Sequence, residues 1–63
     1  MPQIYATTQT ITVNNYTGTL KVVNISGQVI ADTYCKQTAQ IEVGRGLYIV
    51  ITEKEAVKLV IGN

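Results

Sequence analysis

Apolar and polar residues alternate along most of this chain, and short polar or glycine-containing segments interrupt the alternation every eight to ten residues. Such alternation is typical of strands with one buried face, and its spacing is typical of a small sandwich or barrel. Strands are predicted at residues 4–6, 10–14, 19–25, 29–34, 38–43, 47–52 and 56–61, with polar or glycine-containing connections between them. The pattern therefore predicts an all-β fold, an antiparallel β-sandwich of six to seven strands, of which the short first strand is the seventh.

The predicted strand at residues 47–52 departs from the alternation, because its first five residues are all apolar. Tyr48 and Val50 would face the core, which leaves Leu47, Ile49 and Ile51 on the opposite face. A thin sandwich exposes that face to solvent, and large exposed apolar patches usually mark partner-binding surfaces. The sequence therefore predicts a partner-recognition surface made of Leu47, Ile49 and Ile51, with Lys54 in the following turn and Lys58 on the closing strand.

Glycines mark the predicted turns, and one tyrosine marks a predicted corner. Glycine tolerates a positive φ, so we expect structural turn positions at Gly18, Gly27, Gly44 and Gly46. The segment Gly46-Leu47-Tyr48-Ile49-Val50 has the arrangement of the tyrosine corner of immunoglobulin-like sandwiches, whose hydroxyl binds upstream backbone. We therefore expect the sandwich to be immunoglobulin-like, and Tyr48 to be buried with its hydroxyl bonded to the backbone.

Length and composition narrow the domain organisation and the classes of partner. A chain of 63 residues is long enough for one domain only, so residues 1–63 are predicted to form a single β-sandwich domain. Five basic and four acidic residues give a net charge of +1, and charged residues make up 14% of the chain. Nucleic-acid and membrane-surface binding would need a basic patch, so neither is predicted. Valine, isoleucine and threonine, at 8, 8 and 9 residues, favour strands.

No constellation for catalysis or for cofactor binding is found in the sequence. The single cysteine, Cys35, lies in a predicted loop, and the chain has no histidine to activate it as a nucleophile. Carboxylates at strand or turn positions are expected to be solvated rather than paired for acid–base chemistry: Asp32, Glu42, Glu53 and Glu55. The Gly44-Arg45-Gly46 segment is too short for a phosphate-binding loop. We therefore expect no enzymatic activity, no catalytic residues, no cofactor, no metal site and no small-molecule substrate.

Three segments in fixed order carry a resemblance to a known family. Residues 20–30 contain a strand that ends in an Asn-x-x-Gly-Gln turn, residues 46–51 contain Gly-x-Tyr-x-Val, and residues 57–61 form an apolar strand with a lysine. Together they resemble the C-terminal sorting domain of proteins exported through the type IX secretion pathway of Bacteroidetes. The likeness extends from about Thr10 to Ile61. The chain lacks the Tyr-Pro-Asn-Pro opening of many members and their final lysine.

The resemblance implies an immunoglobulin-like sandwich that acts as an export address without catalysis of its own. It implies the C-terminal domain of a larger secreted precursor, which passes through the periplasm and is recognised by the secretion machinery at the outer membrane. The mature protein would be secreted or held at the cell surface. The alternative is a self-associating structural or adhesive β-module that extends sheets by edge pairing, for which a homodimer is one possible form.

Overall fold

Five antiparallel β-strands make up the fold. The computed structural model describes residues 2–62, so Met1 and Asn63, the ends of the predicted domain, lie outside the described residues. The strands are β1 (Gln3–Thr7), β2 (Thr10–Asn24), β3 (Val29–Glu42), β4 (Gly46–Ile51) and β5 (Ala56–Ile61). Every pairing is antiparallel, and residues 2–62 contain no helix. The predicted all-β class and antiparallel pairing are confirmed.

Strand β2 organises the sheet, because it pairs with three other strands. Strand β3 runs along one side of β2 from Thr10 to Val23. On the other side, β1 pairs with the first part of β2 and β4 pairs with Lys21–Asn24, with β5 beyond β4. The sheet curls until β1 and β5 approach each other without hydrogen-bonded pairing. One continuous sheet therefore encloses the core between its two halves.

The strand count corrects the prediction of a sandwich of six to seven strands. The predicted connections at residues 15–18 and 35–37 lie opposite each other inside β2 and β3, which run through them. Asn14 pairs with Thr38 and Tyr16 pairs with Gln37, so Asn15 is an extra residue in a β-bulge. Its φ of 61° is one that asparagine tolerates better than most residues. A bulge bends and twists paired strands without separating them. The four strands predicted between residues 10 and 43 are therefore two long strands, β2 and β3, which form one hairpin.

The bulge also decides which side chains enter the core. Before it, Ile11 and Val13 point inward, whereas after it Tyr16, Leu20 and Val22 do so. The extra residue shifts the alternation by one position, and the curl brings both inward sets to the same interior. The buried apolar residues are Ile11, Val13, Tyr16, Leu20, Val22, Cys35, Val43, Tyr48, Val50 and Ile61.

Side chains close the two hairpin turns that matter most for the position of β4 and β5. In the β2–β3 turn, Asn24 Oδ1 accepts hydrogen bonds from the N–H groups of Ser26 and Gln28. Gly27 has a φ of 87° and donates its N–H to the Asn24 carbonyl, as expected of the predicted turn glycine. In the β4–β5 turn, Thr52 Oγ1 accepts the N–H groups of the two residues before Ala56, which fixes the predicted charged turn at 53–55.

Candidate functional site

The paired strands β4 and β5 bring most of the predicted recognition residues together. Leu47 lies opposite Val60, and Ile49 lies opposite Lys58. Directly opposite residues in an antiparallel pair project to the same face of the sheet, so these side chains share one face, away from the core. We call this surface the β4–β5 face, and it consists of Leu47, Ile49, Ile51, Ala56, Lys58 and Val60. Lys54 lies in the turn between the two strands and is not part of the face.

The β4–β5 face is partly open to solvent and is mostly apolar. Val60 is 70% exposed and Ile51 is 38% exposed, while Leu47 and Ile49 are half-buried. The face continues onto β2, where Val23 pairs with Ile49 and Lys21 pairs with Ile51. The result is a row of aliphatic side chains along β4, with further apolar residues and one lysine on each neighbouring strand. This arrangement is suited to a partner surface that is apolar at its centre.

Sequence reasoning missed two members of the face and both residues of its extension onto β2. Ala56 and Val60 on the face, and Lys21 and Val23 on β2, were not among the predicted recognition residues, yet they lie in register with those residues. Val60 carried a usable signal, because it is an apolar residue at a position where the alternation along β5 predicts a polar one. An apolar residue out of phase on a strand adjacent to an apolar row indicates that the row is wider than one strand.

The Tyr48 corner supports β4 from the core side. The ring is 8% exposed, and its hydroxyl donates a hydrogen bond of 2.9 Å to the Gly44 carbonyl. Gly46 has a φ of 150° at the start of β4, and a β-carbon built there would lie 3.7 Å from the same ring. Tyr48 therefore has the burial and the backbone hydrogen bond that the glycine-tyrosine spacing predicts. Because Leu47 and Ile49 flank it, the corner fixes the side to which the apolar row projects.

A second tyrosine holds the far end of β4 and was not predicted to do so. The Tyr16 hydroxyl donates to the Thr19 carbonyl at 2.6 Å and accepts the N–H of Glu53 at 3.0 Å. Glu53 Oε2 in turn accepts the N–H of Thr19 at 3.1 Å. These bonds join the β4–β5 turn to the middle of β2. Nothing in the local sequence indicates them, because the residues are far apart along the chain.

Gly18 lies within β2, which corrects its prediction as a turn residue. A β-carbon built there would lie 2.7 Å from the Tyr16 hydroxyl oxygen and 2.9 Å from Glu53 Oε2. Its φ of 152° is also one that other residues rarely adopt. Glycine is therefore needed at this position for close approach of the Tyr16 and Glu53 side chains, rather than for a change of chain direction.

The predicted loop position of Cys35 is wrong, because this residue lies in the middle of β3. Its side chain is 1% exposed, and its thiol donates to the Tyr16 carbonyl at 3.2 Å. Burial removes solvent from the sulfur and raises the pKa of the Cys35 thiol. A buried thiol with a raised pKa is a poor nucleophile, since the thiolate is the reactive form. Cys35 lies on the same side of β3 as Ala39 and Ile41 by simple alternation, so its side chain faces the core once residues 35–37 are part of the strand.

The four carboxylates lie at exposed positions, in β3 for Asp32 and Glu42 and in the β4–β5 turn for Glu53 and Glu55. Across residues 2–62, no three acidic or cysteine side chains come close enough to hold a metal ion. Within the same range, no helix is long and apolar enough to cross a membrane.

Comparisons with known proteins do not assign the chain to a family. No protein-family model matches it, and no curated protein matches it. The function is therefore argued from the residues of the chain and their arrangement.

Proposed function

We propose that this chain is a non-enzymatic targeting or attachment domain that a protein partner recognises through the β4–β5 face. The observation that carries the proposal is the register of β4 on β5, which places three predicted apolar residues and Lys58 on one outward face. The tyrosine corner and the Thr52 turn hold this face in shape without using its side chains. A rigid, pre-shaped apolar surface with flanking lysines is suited to binding a protein surface.

The partner class in this proposal is the outer-membrane machinery of type IX secretion. Its support is the ordered set of three segments in the sequence, and two of them correspond to defined features of the fold. Asn24, Gly27 and Gln28 close the β2–β3 turn, and Gly46 with Tyr48 forms the corner before the β4–β5 face. The immunoglobulin-like sandwich remains part of the proposal: the two halves of the curled sheet would correspond to its two layers. Under this proposal, the chain is the C-terminal targeting domain of a larger protein that is secreted or held at the cell surface.

Export of a reporter tests this proposal. The 63 residues are fused behind a periplasmic reporter in a bacterium that has type IX secretion, and reporter activity is measured outside the cell. We expect export of the unchanged fusion and periplasmic retention of the Ile51→Thr/Val60→Thr and Lys58→Glu variants. Threonine keeps the β-branched shape that strands favour, so the fold should persist. Periplasmic retention of the unchanged fusion contradicts the export role.

Matched substitutions outside the face serve as controls. Ile25→Thr changes an apolar residue that is 73% exposed in the β2–β3 turn, and Arg45→Glu reverses an exposed charge in the β3–β4 connection. Both should leave export unchanged. Removal of residues 57–63 is a poor test, because it deletes most of β5 and the buried side chain of Ile61, and so destabilises the whole fold. Equal export of the face variants and the controls would show that the β4–β5 face is not the recognised surface.

A self-associating structural or adhesive module is the second candidate function. The specific observation in its favour is that, within residues 2–62, β3 pairs only with β2, so its other side is an unpaired strand edge. Unpaired edges can extend a sheet by accepting a strand from another chain. Retention of the unchanged reporter fusion, together with self-association of the isolated domain, would favour this function over export.

A further inference from the structure

The unpaired edge of β3 is regular over one short segment. Register shifts occur near Val29 and again beyond Gln37, whose φ is 72°, and they leave residues 32–36 as an uninterrupted stretch between two irregularities. Bulges limit where another strand can pair, so the stretch between them is the part best able to accept one. Its central residue is Tyr34, which is 60% exposed.

The charges of this segment are arranged symmetrically about its centre. Asp32 lies two residues before Tyr34 and Lys36 lies two residues after it. All three are exposed and project to the outer face, because their partners on β2 are the alternate residues Lys21, Thr19 and Thr17. An antiparallel copy of the segment, centred on Tyr34, would therefore place each Asp32 opposite the Lys36 of the other copy.

We propose that two copies of this chain pair through residues 32–36 of β3, antiparallel, in the register that places Tyr34 opposite Tyr34. This register forms two cross-strand ion pairs, one on each side of a central tyrosine pair. Opposite charges and aromatic pairs stabilise neighbouring strands when they lie directly opposite each other. The inference is independent of the export proposal, and it specifies the edge pairing that the second candidate function requires.

Charge favours this register over the other symmetric registers that keep the same face outward. Centring the pair on Asp32 places two carboxylates opposite each other, and centring it on Lys36 does the same with two ammonium groups. Like charges directly opposite destabilise strand pairing. Registers centred on Thr33 or Cys35 form no ion pair. The register centred on Tyr34 is thus the one in which this segment is complementary to itself.

The pairing would join two curled sheets edge to edge. Its twofold axis is perpendicular to the sheet, so both outer faces lie on the same side of the dimer. Strands β4 and β5 lie on the far side of β2 from β3, and the β4–β5 faces of the two copies stay uncovered. A dimer of this kind presents two copies of the apolar face in one direction.

Two charge variants and their mixture test the register, with sedimentation equilibrium as the measurement. Asp32→Lys makes both positions basic and Lys36→Asp makes both acidic, so each variant should bind itself at least about tenfold more weakly than the unchanged chain. Mixed in equal amounts, the two variants should form a heterodimer, because every opposed pair then has opposite charges. Circular dichroism and the unfolding midpoint of each variant check that the fold persists.

A cysteine at the centre provides a second measurement. Tyr34→Cys should cross-link to itself under mild oxidation, because the proposed register places the two sulfurs opposite each other. Gln40→Cys is the matched control, since it is exposed on the same strand but lies away from the twofold axis. The unchanged chain, whose Cys35 is buried, gives the background.

Three results overturn the proposal. The first is an unchanged chain that stays monomeric at about 1 mM, which also removes the second candidate function. Another is dimerisation of either charge variant as tight as that of the unchanged chain, or failure of their mixture to associate. The last is cross-linking of Gln40→Cys as fast as that of Tyr34→Cys. These variants leave the β4–β5 face intact, so loss of dimerisation and loss of export are separate outcomes.

Discussion

The two halves of the curled sheet share a core, but their outer faces differ in polarity. Around the first part of β2, the side chains away from the core are almost all polar: Gln3, Tyr5, Thr7, Thr10, Thr12, Asn14, Thr38, Gln40 and Glu42. Around the last part of β2, the side chains away from the core are mostly apolar: Val23, Val29, Leu47, Ile49, Ile51, Ala56 and Val60. Three charged residues, Lys21, Asp32 and Lys58, lie on the same face.

Side chains on the outer face of the polar half hydrogen-bond to one another, whereas the aliphatic side chains of the apolar half remain in contact with water. Asn14 donates to the Tyr5 hydroxyl and accepts from Thr38, so hydrogen bonds cross three strands on the polar outer face. The apolar face has aliphatic side chains in contact with water, and water contact of apolar surface is unfavourable. The difference teaches that a single sheet can carry a polar outer surface in one half and an apolar outer surface in the other, although β2 and β3 run through both.

Deletion of Asn15 should have the largest effect, because it removes the boundary between the halves. Without the extra residue, the alternation of β2 no longer changes phase, and either Ile11 and Val13 or Leu20 and Val22 must face outward. We expect loss of cooperative unfolding, measured by circular dichroism during thermal denaturation. The control Asn15→Gly keeps the bulge and its positive φ, and should change stability by about 1 kcal/mol or less. A folded deletion variant would show that the bulge is not what orients the two halves.

Gly18→Ala should have the next largest effect, because it disturbs the contact that joins the β4–β5 turn to the middle of β2. The added methyl group would collide with the Tyr16 hydroxyl and Glu53, at a backbone conformation that alanine adopts poorly. We expect a loss of about 2 to 4 kcal/mol in the free energy of unfolding, from strain and overpacking together. Gly27→Ala is the matched control: its φ is also positive but its surroundings are open, so only the strain of about 1 kcal/mol applies. Equal losses in the two variants would remove the packing explanation.

Asn14→Ala should have a moderate effect confined to the polar half. It removes the two side-chain hydrogen bonds that join β1, β2 and β3 on that face. Since both bonds are exposed, we expect a loss of about 1 kcal/mol, measured by denaturant unfolding. Amide exchange should accelerate most in β1, which only β2 pairs. Acceleration spread evenly over the sheet would show that the polar ladder does not act locally.

The smallest effect on stability is expected for Ile51→Thr/Val60→Thr, which makes the apolar face resemble the polar one. Both side chains are substantially exposed, so the free energy of unfolding should change by about 0.5 kcal/mol or less. Binding of a dye that reports exposed apolar surface should fall at the same time. A large loss of stability with unchanged dye binding would mean that these side chains pack within the fold rather than await a partner.

The sequence predicted the strands β4 and β5 well, and with them the candidate surface. Five consecutive apolar residues, followed by a charged turn and an alternating strand, indicate a β-hairpin. Alternation along its first strand places Leu47, Ile49 and Ile51 on one face. Tyr48 was predictable for a similar reason, because the glycine corner, the ring and the backbone carbonyl it binds lie within a few residues of each other.

The hairpin of β2 and β3 was not predictable in the same way. Asn-Tyr-Thr-Gly has the composition of a turn, and only its pairing partner shows that it is a bulge inside a strand. The burial of Cys35 follows from the continuity of β3, and the inward position of Tyr16, which bonds Glu53, follows from the bulge. Features that depend on contacts between residues far apart in sequence have no local signal.

The turn closed by Asn24 has a consequence for the order in which the chain folds. Val23 meets Val29 across this turn, so the β2–β3 hairpin can begin from a local contact and extend along both strands. By contrast, Lys21 meets Ile51 only after the intervening chain has closed, which costs more loop entropy. We expect the hairpin to be formed in the transition state, with the docking of β4 and β5 following it. Substitutions at Gly27 should then slow refolding, whereas substitutions in β5 should mainly accelerate unfolding.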